Sequence, residues 1–326
     1  MLPSKPFRLR CEGGMEAIRD SFGKAVVEAG AKYPEVVAVS CDLKVATRMQ
    51  PFFDAYPERS FEVGIAEANG VGICAGLALS GFRPFISSFG AFITGKNVEI
   101  RTSIAYNNAP VVIVGTHGGL IGPDGTTQAG LQDIAVMRSI PGFKVFQPAT
   151  PIETAAIVDY AAKTRDPVYL RIARNEVPEL FNGSYRFEPG RGQIIRQGKD
   201  MVIISSGPML HAALECAEMF AASGTDITVV NLPSLKPVDA ELILSCAKRA
   251  RAVIAVEDHI IDGGLGSIVA EVVAEAGISV PVIRHGIKDV FVESGKPKEL
   301  EALYGLDAKG IEGVVRDIVG VRAGAA

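Results

Sequence analysis

The sequence has no tryptophan and little histidine or cysteine. Its 326 residues include four histidines and five cysteines, and no two cysteines form a Cys-x-x-Cys pair. An odd number of scattered cysteines is typical of reduced intracellular thiols and argues against a disulfide framework or a zinc site. So few histidines also argue against a multi-histidine metal centre. These absences predict a cytoplasmic protein.

Blocks of basic charge and long apolar runs are also missing. The net charge is −4 and no cluster of Lys and Arg occurs, which argues against binding to nucleic acid or to an anionic membrane surface. The longest apolar runs, such as PVVIVG, are far shorter than the ~20 residues of a membrane span. Residues 1–14 lack the apolar core of a signal peptide, and we interpret them as an N-terminal arm.

Short apolar runs alternate with helical patterns in the first half of the chain. Runs rich in β-branched residues predict buried parallel strands at 36–41, 83–88, 110–116, 144–148 and 167–172. The spacing of Ile18, Phe22 and Val26 predicts a helix with one apolar face. Thr150 followed by Pro151 predicts another helix start. This alternation predicts an α/β sheet covered on both faces.

A stretch rich in Gly, Pro and charged residues interrupts the pattern around 182–200. A second series of strand and helix patterns follows it. We therefore predict two doubly wound α/β domains. The first, with a mainly parallel sheet, spans 15–185, and the second, smaller one spans 186–326.

Three glycine-rich stretches lack the spacing of known phosphate-binding loops. None contains the Gly-Lys-Ser/Thr ending of a P-loop, and none gives Gly-x-Gly-x-x-Gly between a strand and a helix. Taken singly, they predict turns or close approaches of the backbone: GIAEANGVG, GTHGGLIGPDGTTQAG and DGGLGS.

Glu67 occupies an unusual position in the segment FEVGIAEANGVGICAGLA, which begins as a short strand and continues as a helix. Its neighbours are apolar, so its carboxyl group can be dehydrated, and a dehydrated carboxyl can keep its proton and donate a hydrogen bond. Alternatively, Glu67 is an ordinary acid at a helix N-terminus, stabilised by the helix dipole. The residues alone leave both interpretations open.

Seven segments, in this order and spacing, carry a family resemblance: AIRDSFG, VSCDL, FEVGIAEANGVGICAGLALSG, SSFGAFITGKNVEIR, GTHGGLIGPDGTTQAGLQDIAVMRSIPGFKVFQPAT, YLRIARN and EDHIIDGGLGS. Through them the chain resembles the C-terminal half of a transketolase, a thiamine diphosphate enzyme. The resemblance spans about 15–320. It implies that 15–185 is a pyrimidine-binding domain and that 186–326 is a transketolase C-terminal domain.

The resemblance implies a cofactor site around Glu67. In transketolases a buried glutamate bonds N1′ of the cofactor aminopyrimidine and favours the imino tautomer, whose nitrogen takes the proton from the thiazolium carbon. Glu67 matches that glutamate. Phe89 and Phe92 match aromatic rings that line the aminopyrimidine pocket. Leu43 is a candidate for the apolar wedge that bends the cofactor, and Asp42 matches an active-site acid of the family.

The resemblance also implies a sugar site. His117 matches a histidine that contacts the sugar hydroxyls and the reacting carbonyl, a role that suits an imidazole. Asp124 matches an acid that contacts a sugar hydroxyl. Gln128 stands where many transketolases have histidine, and we interpret it as a hydrogen-bonding residue for the substrate.

Arginine residues are expected to bind the anionic end of the substrate, because a planar guanidinium bonds phosphate bidentately. By the resemblance, Arg174 and Arg19 match phosphate-binding arginines, and Arg171 could act instead of Arg174 or beside it. A family serine at this phosphate is replaced by Ala46, which leaves room for a different anionic tail.

The resemblance further implies a partner subunit. Transketolases hold the diphosphate and its magnesium ion with a Gly-Asp-Gly stretch and downstream Asn residues, and no Gly-Asp-Gly occurs in this chain. The metal ligands are therefore expected on an N-terminal transketolase subunit, within an α2β2 heterotetramer. Small residues after Glu67 would let its helix approach a neighbouring subunit closely: Gly70, Gly72, Ala75 and Gly76.

We therefore predict the C-terminal subunit of a split transketolase that depends on thiamine diphosphate and Mg²⁺. It would transfer a two-carbon ketol unit from a ketose to an aldose, and phosphorylated, branched or otherwise anionic ketoses all fit. Two other enzyme types share the architecture, a 2-oxoacid dehydrogenase beta-type subunit and a 1-deoxyxylulose-phosphate-synthase-like enzyme. The alternative without catalysis is an assembly or regulatory subunit.

Overall fold

The computed structural model of this protein describes residues 14–221 and 224–323. The predicted N-terminal arm therefore lies outside the described residues, apart from Gly14. Two large sheets dominate the fold, one for each half of the chain.

The first half alternates strands and helices as the apolar runs predict. Its strands are β1 (Glu16–Ala17), β2 (Val36–Ser40), β3 (Ser60–Glu62), β4 (Arg83–Phe89), β5 (Val112–Gly118), β6 (Lys144–Phe146), β7 (Val168–Ala173) and β8 (Glu176–Val177). Its α-helices are α1 (Ile18–Lys32), α2 (Gln50–Ala55), α3 (Glu67–Leu79), α4 (Gly90–Thr94), α5 (Asn97–Glu99), α6 (Asp133–Ser139) and α7 (Pro151–Lys163). A 3₁₀-helix covers Pro57–Arg59, and a π-helix covers Ile100–Ala105.

The second half continues the alternation. Its strands are β9 (Gln193–Arg196), β10 (Met201–Ser205), β11 (Ile227–Asn231), β12 (Ser234–Lys236), β13 (Val253–Ile260) and β14 (Val282–Ile287). Its helices are α8 (Met209–Phe220), α9 (Ala240–Ala247), α10 (Leu265–Glu275), α11 (Pro297–Leu303) and α12 (Ala308–Ala323).

The larger sheet has the strand order β12-β6-β7-β5-β4-β2-β3 among the described residues. All its neighbours pair in parallel except β12, which pairs antiparallel with β6. Apolar clusters cover both faces, one beneath α1 and α7 and the other beneath α3 and α6. This doubly wound arrangement confirms the predicted α/β class.

The smaller sheet has the order β14-β13-β10-β11-β9, with β9 antiparallel at one edge. The two halves are joined by more than a linker, because β12 of the second half completes the edge of the first sheet. One apolar cluster also runs from the first sheet into the second. The second half is therefore packed directly against the first.

Local sequence signals explain the helix boundaries. Thr150 caps α7 by accepting a hydrogen bond from the backbone N–H of Glu153, and Pro151 occupies the first turn, as predicted. Ile18, Phe22 and Val26 are all buried, as the spacing along α1 predicts.

Two strands are not predicted by the sequence patterns. The stretch around 182–200, interpreted as a break, contains β9, and the short strand β12 carries no strong pattern of its own. Within the described residues, no helix has the length and apolar character needed to cross a membrane.

Candidate active site

The predicted site residues gather where β2, β4, β5 and β7 end. The register sets Ser40 beside Ser87 and Phe89 beside Thr116, so the carboxyl ends of these parallel strands share one edge. Ligands of open α/β sheets bind in the crevice outside this edge. At or directly after the strand ends lie Asp42, Leu43, Phe89, His117 and Arg174.

Glu67 is the first residue of α3 and is only 7% exposed. The hydroxyl of Ser88, on β4, donates to its Oε1 at 2.9 Å. Helix α3 can lie this close to β4 because Gly70 has no side chain; a Cβ there would meet Ile86 Cδ1 at 2.8 Å. The carboxylate is thus buried, as predicted, and also sits at a helix N-terminus, where the dipole favours it.

Three rings form a stack beyond β4 and β5. The centroids of Phe89 and His117 are 3.8 Å apart, and those of Phe89 and Phe92 are 5.2 Å apart. Phe89 and His117 are buried, whereas Phe92 is half-buried. Offset or tilted packing of such rings is favourable.

His117 is held in a defined orientation. The Thr116 hydroxyl donates its single proton to the Ser88 carbonyl oxygen at 3.3 Å. His117 Nδ1, 3.0 Å from Thr116 Oγ1, is then the donor of that pair. Burial, and next the charges of Arg19 and Arg174, lower the pKa of His117 to about 4. The imidazole is therefore neutral at pH 7, with Nε2 as an acceptor.

A group of charged residues lies near this imidazole. Arg174 Nη1 donates to Asp124 Oδ2 at 2.5 Å, and both side chains are about one-third exposed. Arg19 Nη1 approaches the Ala46 carbonyl oxygen at 3.5 Å, and among the described residues its buried Nε has no hydrogen-bond partner. Burial lowers the pKa of Arg19, and so do the neighbouring charges of Arg48 and Arg174.

Arg48 belongs to this group and was missed by the sequence reasoning. It forms an ion pair with Asp20, and its charge also lowers the pKa of His117. Its backbone has φ +66°, a left-handed conformation that is unfavourable for a side chain as large as arginine. A usable signal existed, because Arg48 follows Ala46, the presumed phosphate position, by two residues.

Ser88 and Thr116 were likewise missed as site residues. Both precede a predicted site residue by one position in the sequence, and both lie on central strands. The rule that ligands bind at strand ends could have singled them out.

The other predicted residues lie in the loops that follow β2 and β5. Asp42 is exposed with φ +61°, and its N–H donates to Glu62 Oε1 at 2.7 Å. Leu43 is half-buried, and its N–H donates to Ser40 Oγ at 3.3 Å. Gln128 is half-buried in the loop after β5.

Arg171 does not belong to the site, and the expectation that it binds a substrate anion is wrong. Its side chain is fully buried, and each of its three guanidinium nitrogens donates to a protein oxygen of Asp133, Asp258 or Gly130. A guanidinium occupied in this way cannot hold a substrate.

The donor set fits the flat ring of an aminopyrimidine. The Glu67 carboxyl group can share a proton with a ring nitrogen, and the stack of Phe89 and Phe92 suits a ring face. Within the residues that the structure describes, no group of three or more His, Cys, Asp and Glu side chains could hold a metal ion.

Two family models match the chain. The transketolase pyrimidine binding domain matches residues 15–179, and the transketolase C-terminal domain matches residues 190–311. Together they cover most of the chain.

Individual relatives match over nearly their full length. A Methanocaldococcus jannaschii protein assigned as a transketolase C-terminal section is 38% identical over 93% of this chain and 96% of its own. One chain of the apulose-4-phosphate transketolase of Actinobacillus succinogenes is 35% identical over 85% of this chain and 90% of its own. A solved split gene transketolase, described as an inactive beta4 tetramer, has 42% identity and a TM-score of 0.86 over 93% of this chain and 98% of its own. By contrast, the chain spans about half the length of matching 1-deoxy-D-xylulose-5-phosphate synthases.

Proposed function

Because the chain belongs to the transketolase family, we propose that it is the C-terminal subunit of a split transketolase. It transfers a two-carbon ketol unit from an anionic ketose to an aldose and is active only with a complementary subunit. The observation that carries the proposal is the buried pair of Glu67 and Ser88 beside the stack of Phe89 and His117. The chain also aligns with split-transketolase chains over 93% of its own length and 96–98% of theirs.

The cofactor of the proposed reaction is thiamine diphosphate with Mg²⁺. When bound, it supplies the carbon nucleophile that accepts the ketol unit. Ser88 already donates to Glu67 Oε1, and the Glu67 carboxyl group would hold the pyrimidine ring nitrogen N1′ of the bound cofactor by sharing a proton with it. Phe89 and Phe92 support the ring face, and Leu43 and Asp42 border the same pocket. The diphosphate and its metal are held by the partner subunit, since this chain has no Gly-Asp-Gly.

The sugar is held by the residues around His117. Neutral His117 accepts a hydrogen bond from a sugar hydroxyl through Nε2, while Asp124 and Gln128 bond other hydroxyls. Arg19, Arg48 and Arg174 bind the anionic end. Two carboxylates already pair within this group, Asp124 with Arg174 and Asp20 with Arg48. Three guanidinium groups against two carboxylates leave a net positive charge for the anion.

The other enzyme types fit less well. A 2-oxoacid donor has no chain of hydroxyls for His117 and Asp124 to bind, and a 1-deoxyxylulose-phosphate-synthase-like enzyme also needs such a donor, pyruvate. An assembly subunit without catalysis would have no need of a buried Glu67 with its own hydrogen-bond donor.

The assembly proposed for the active form is a cytoplasmic α2β2 heterotetramer. Helix α3 supports this, because its exposed stripe includes Gly72, Gly76 and Leu79, and a Cβ at either glycine would meet none of the described residues within 4 Å. Such a face allows a second helix to approach closely.

Co-purification from the native cell extract tests the proposal. We expect the tagged chain to elute in equal amounts with a protein that contains Gly-Asp-Gly and downstream Asn residues. With thiamine diphosphate and Mg²⁺, that complex should transfer a ketol unit from a phosphorylated ketose. Elution alone, elution with a dihydrolipoyl acyltransferase core, or turnover of 2-oxoacids without ketose turnover would contradict the proposal.

A further inference from the structure

A buried ion cluster joins the two halves of the chain behind the active site. Arg171 of β7 donates from Nε to the Asp133 carboxylate at 3.0 Å and from Nη1 to Asp258 Oδ1, on β13, at 2.6 Å. All three side chains are at most 5% exposed. Tyr169 donates to Asp133 Oδ2 at 2.6 Å, so this cluster is extensively hydrogen-bonded. Charges buried this deeply persist only when they are paired.

The same arginine holds the loop that carries His117. We call residues 117–130 the His117 loop. Its end, Gly130, donates to the His117 carbonyl oxygen at 2.9 Å and accepts from the Gly119 N–H at 3.0 Å. Arg171 Nη2 donates to the same Gly130 oxygen at 2.8 Å. The Gly130 carbonyl oxygen that closes the loop is therefore also bound by the Arg171 guanidinium.

His117 depends on this attachment because its backbone is strained. It has φ +58°, in the left-handed region that side chains other than glycine rarely adopt. Such a conformation persists where the surrounding structure over-determines it, and this is common at functional sites. The guanidinium also packs under the next residue, because a Cβ at Gly118 would lie 2.9 Å from Arg171 Cζ.

The second half touches the loop directly as well. A Cβ at Gly119 would meet Asp258 Oδ2 at 2.1 Å, and one at Gly125 would meet Ser294 Oγ at 2.7 Å. Both glycines have positive φ, so the loop adopts a backbone path that follows the surface of the second half. Asp258 therefore contacts the loop and also holds the arginine that closes it.

We propose that Asp258 and Arg171 are positioning residues that fix the orientation of His117. Through Asp258, the C-terminal half of the chain then influences the reaction from outside the substrate site. The kinetic part of this inference rests on the proposed function. The structural part does not, since it concerns the order of the His117 loop in this chain.

Asp258→Asn tests the proposal in the assembled complex. The amide keeps the shape of the side chain but removes the charge that holds Arg171. We expect hydrogen exchange of peptides from the His117 loop to become faster. We also expect the KM for the donor ketose to rise and kcat to fall, so that kcat/KM decreases by on the order of 10-fold or more. The affinity for thiamine diphosphate should stay unchanged, because Glu67 is untouched.

Tyr169→Phe is the matched control. It removes a hydrogen bond from the same cluster but leaves the links from Arg171 to Asp258 and Gly130 intact. It should lower thermal stability without changing loop exchange or KM. Arg171→Lys is the second variant, because it keeps the charge but cannot reach Gly130 and both carboxylates together. It should reproduce the effects of Asp258→Asn, and it replaces that variant if the latter fails to fold.

A merely structural cluster would give a different pattern. If Asp258→Asn or Arg171→Lys lowers stability but keeps loop exchange, KM and kcat at wild-type values, the proposal is overturned. If the wild-type complex turns over no ketose, the proposed function fails, yet the exchange measurement still decides whether the cluster fixes the loop.

Discussion

At the scale of single residues, each proposed reactive group is held by a hydrogen-bonding neighbour on a central strand. Ser88 of β4 fixes the Glu67 carboxylate of α3, and Thr116 of β5 links the Ser88 carbonyl to the His117 ring. A buried polar group without such a partner would be costly. The functional consequence is that carboxylate, imidazole and aromatic rings share one connected network.

Replacing Glu67 by Gln should remove proton sharing with the cofactor while keeping the side-chain shape. We expect kcat of the complex to fall by about 100-fold or more, the usual size of a general acid–base contribution. Ser88→Ala should cost less, about 10-fold, as for one hydrogen bond to a charged group. Steady-state kinetics on complexes of wild-type mass provides the measurement, and wild-type activity in Glu67→Gln would contradict the assigned role.

The pKa of His117 predicts a loss of stability in acid. Because the folded value, about 4, lies below the ordinary 6.5, the unfolded chain binds a proton that the folded chain does not bind. The stabilisation from His117 is complete above pH ~6.5 and disappears as the pH falls towards ~4. Between pH 7.5 and pH 5, wild type should lose about 2 kcal/mol more unfolding free energy than His117→Gln.

Urea denaturation of both proteins at the two pH values checks this expectation. His211, His259 and His285 also have lowered pKa values, but they are present in both proteins and cancel from the difference. Equal losses in wild type and variant would show that His117 is not held neutral.

Arg48→Met should weaken binding of an anionic donor. Loss of one charged hydrogen bond predicts a rise in KM of about 10-fold for a phosphorylated ketose and little change for its unphosphorylated analogue. Lys44→Met is the control, because Lys44 is a nearby cation that stacks on Phe53 instead of facing His117. Comparable KM changes for both ketoses, or in both variants, would argue against an anion role for Arg48.

At the scale of elements, helix α3 uses its small residues on two opposite sides. Gly70 and Ala75 are buried against the chain itself, so the expectation that they face a neighbouring subunit is wrong for these two. Gly72 and Gly76 are exposed and remain available for a partner. Helix α3 therefore positions Glu67 and also presents the proposed interface.

Gly70→Ala and Gly76→Ala should have opposite effects on the isolated chain. The added methyl group at position 70 meets Ile86 and should destabilise the fold by about 1–3 kcal/mol. At position 76 it meets no atom of the described part of the chain within 4 Å and should stabilise the helix by about 1 kcal/mol. Thermal unfolding measures both, and analytical ultracentrifugation should show weaker association for Gly76→Ala. Unimpaired association would place the partner elsewhere.

At the scale of the whole molecule, the surface around α3 is unusually apolar for a free protein. Ile65 and Tyr106 are 84% and 89% exposed, and Leu79 and Val98 are also exposed. Large apolar side chains exposed on one region of a surface are typical of a protein–protein contact. The chain is therefore expected to be covered by other subunits.

Mixing experiments test this expectation. Alone, the chain should self-associate and show no ketol transfer. Addition of the subunit that contains Gly-Asp-Gly should change the mass measured by light scattering and produce activity that saturates at equal stoichiometry. A monomeric chain, or activity without the second subunit, would contradict the split-enzyme proposal.

Periodicity gave much of the fold, because strands such as β5 and helices such as α7 carry strong local signals. Buried strands need continuous apolar runs, and Thr150 with Pro151 marks a helix start in any context. The short strand β12 has no such signal, since its place depends on β6, which lies far away in the sequence. The domain boundary at 185/186 stays a prediction.

Neighbouring residues alone specify the alternating α/β order and the position of Glu67 at a strand-to-helix junction. Which polar groups meet depends instead on the packing of distant segments. The tertiary structure removed Arg171 from the substrate site, added Arg48 and Ser88, and placed Asp258 behind His117. Hydrogen bonds and ion pairs between distant residues depend on distances of a few ångströms that the packing of sheets and helices sets, and no local pattern encodes them.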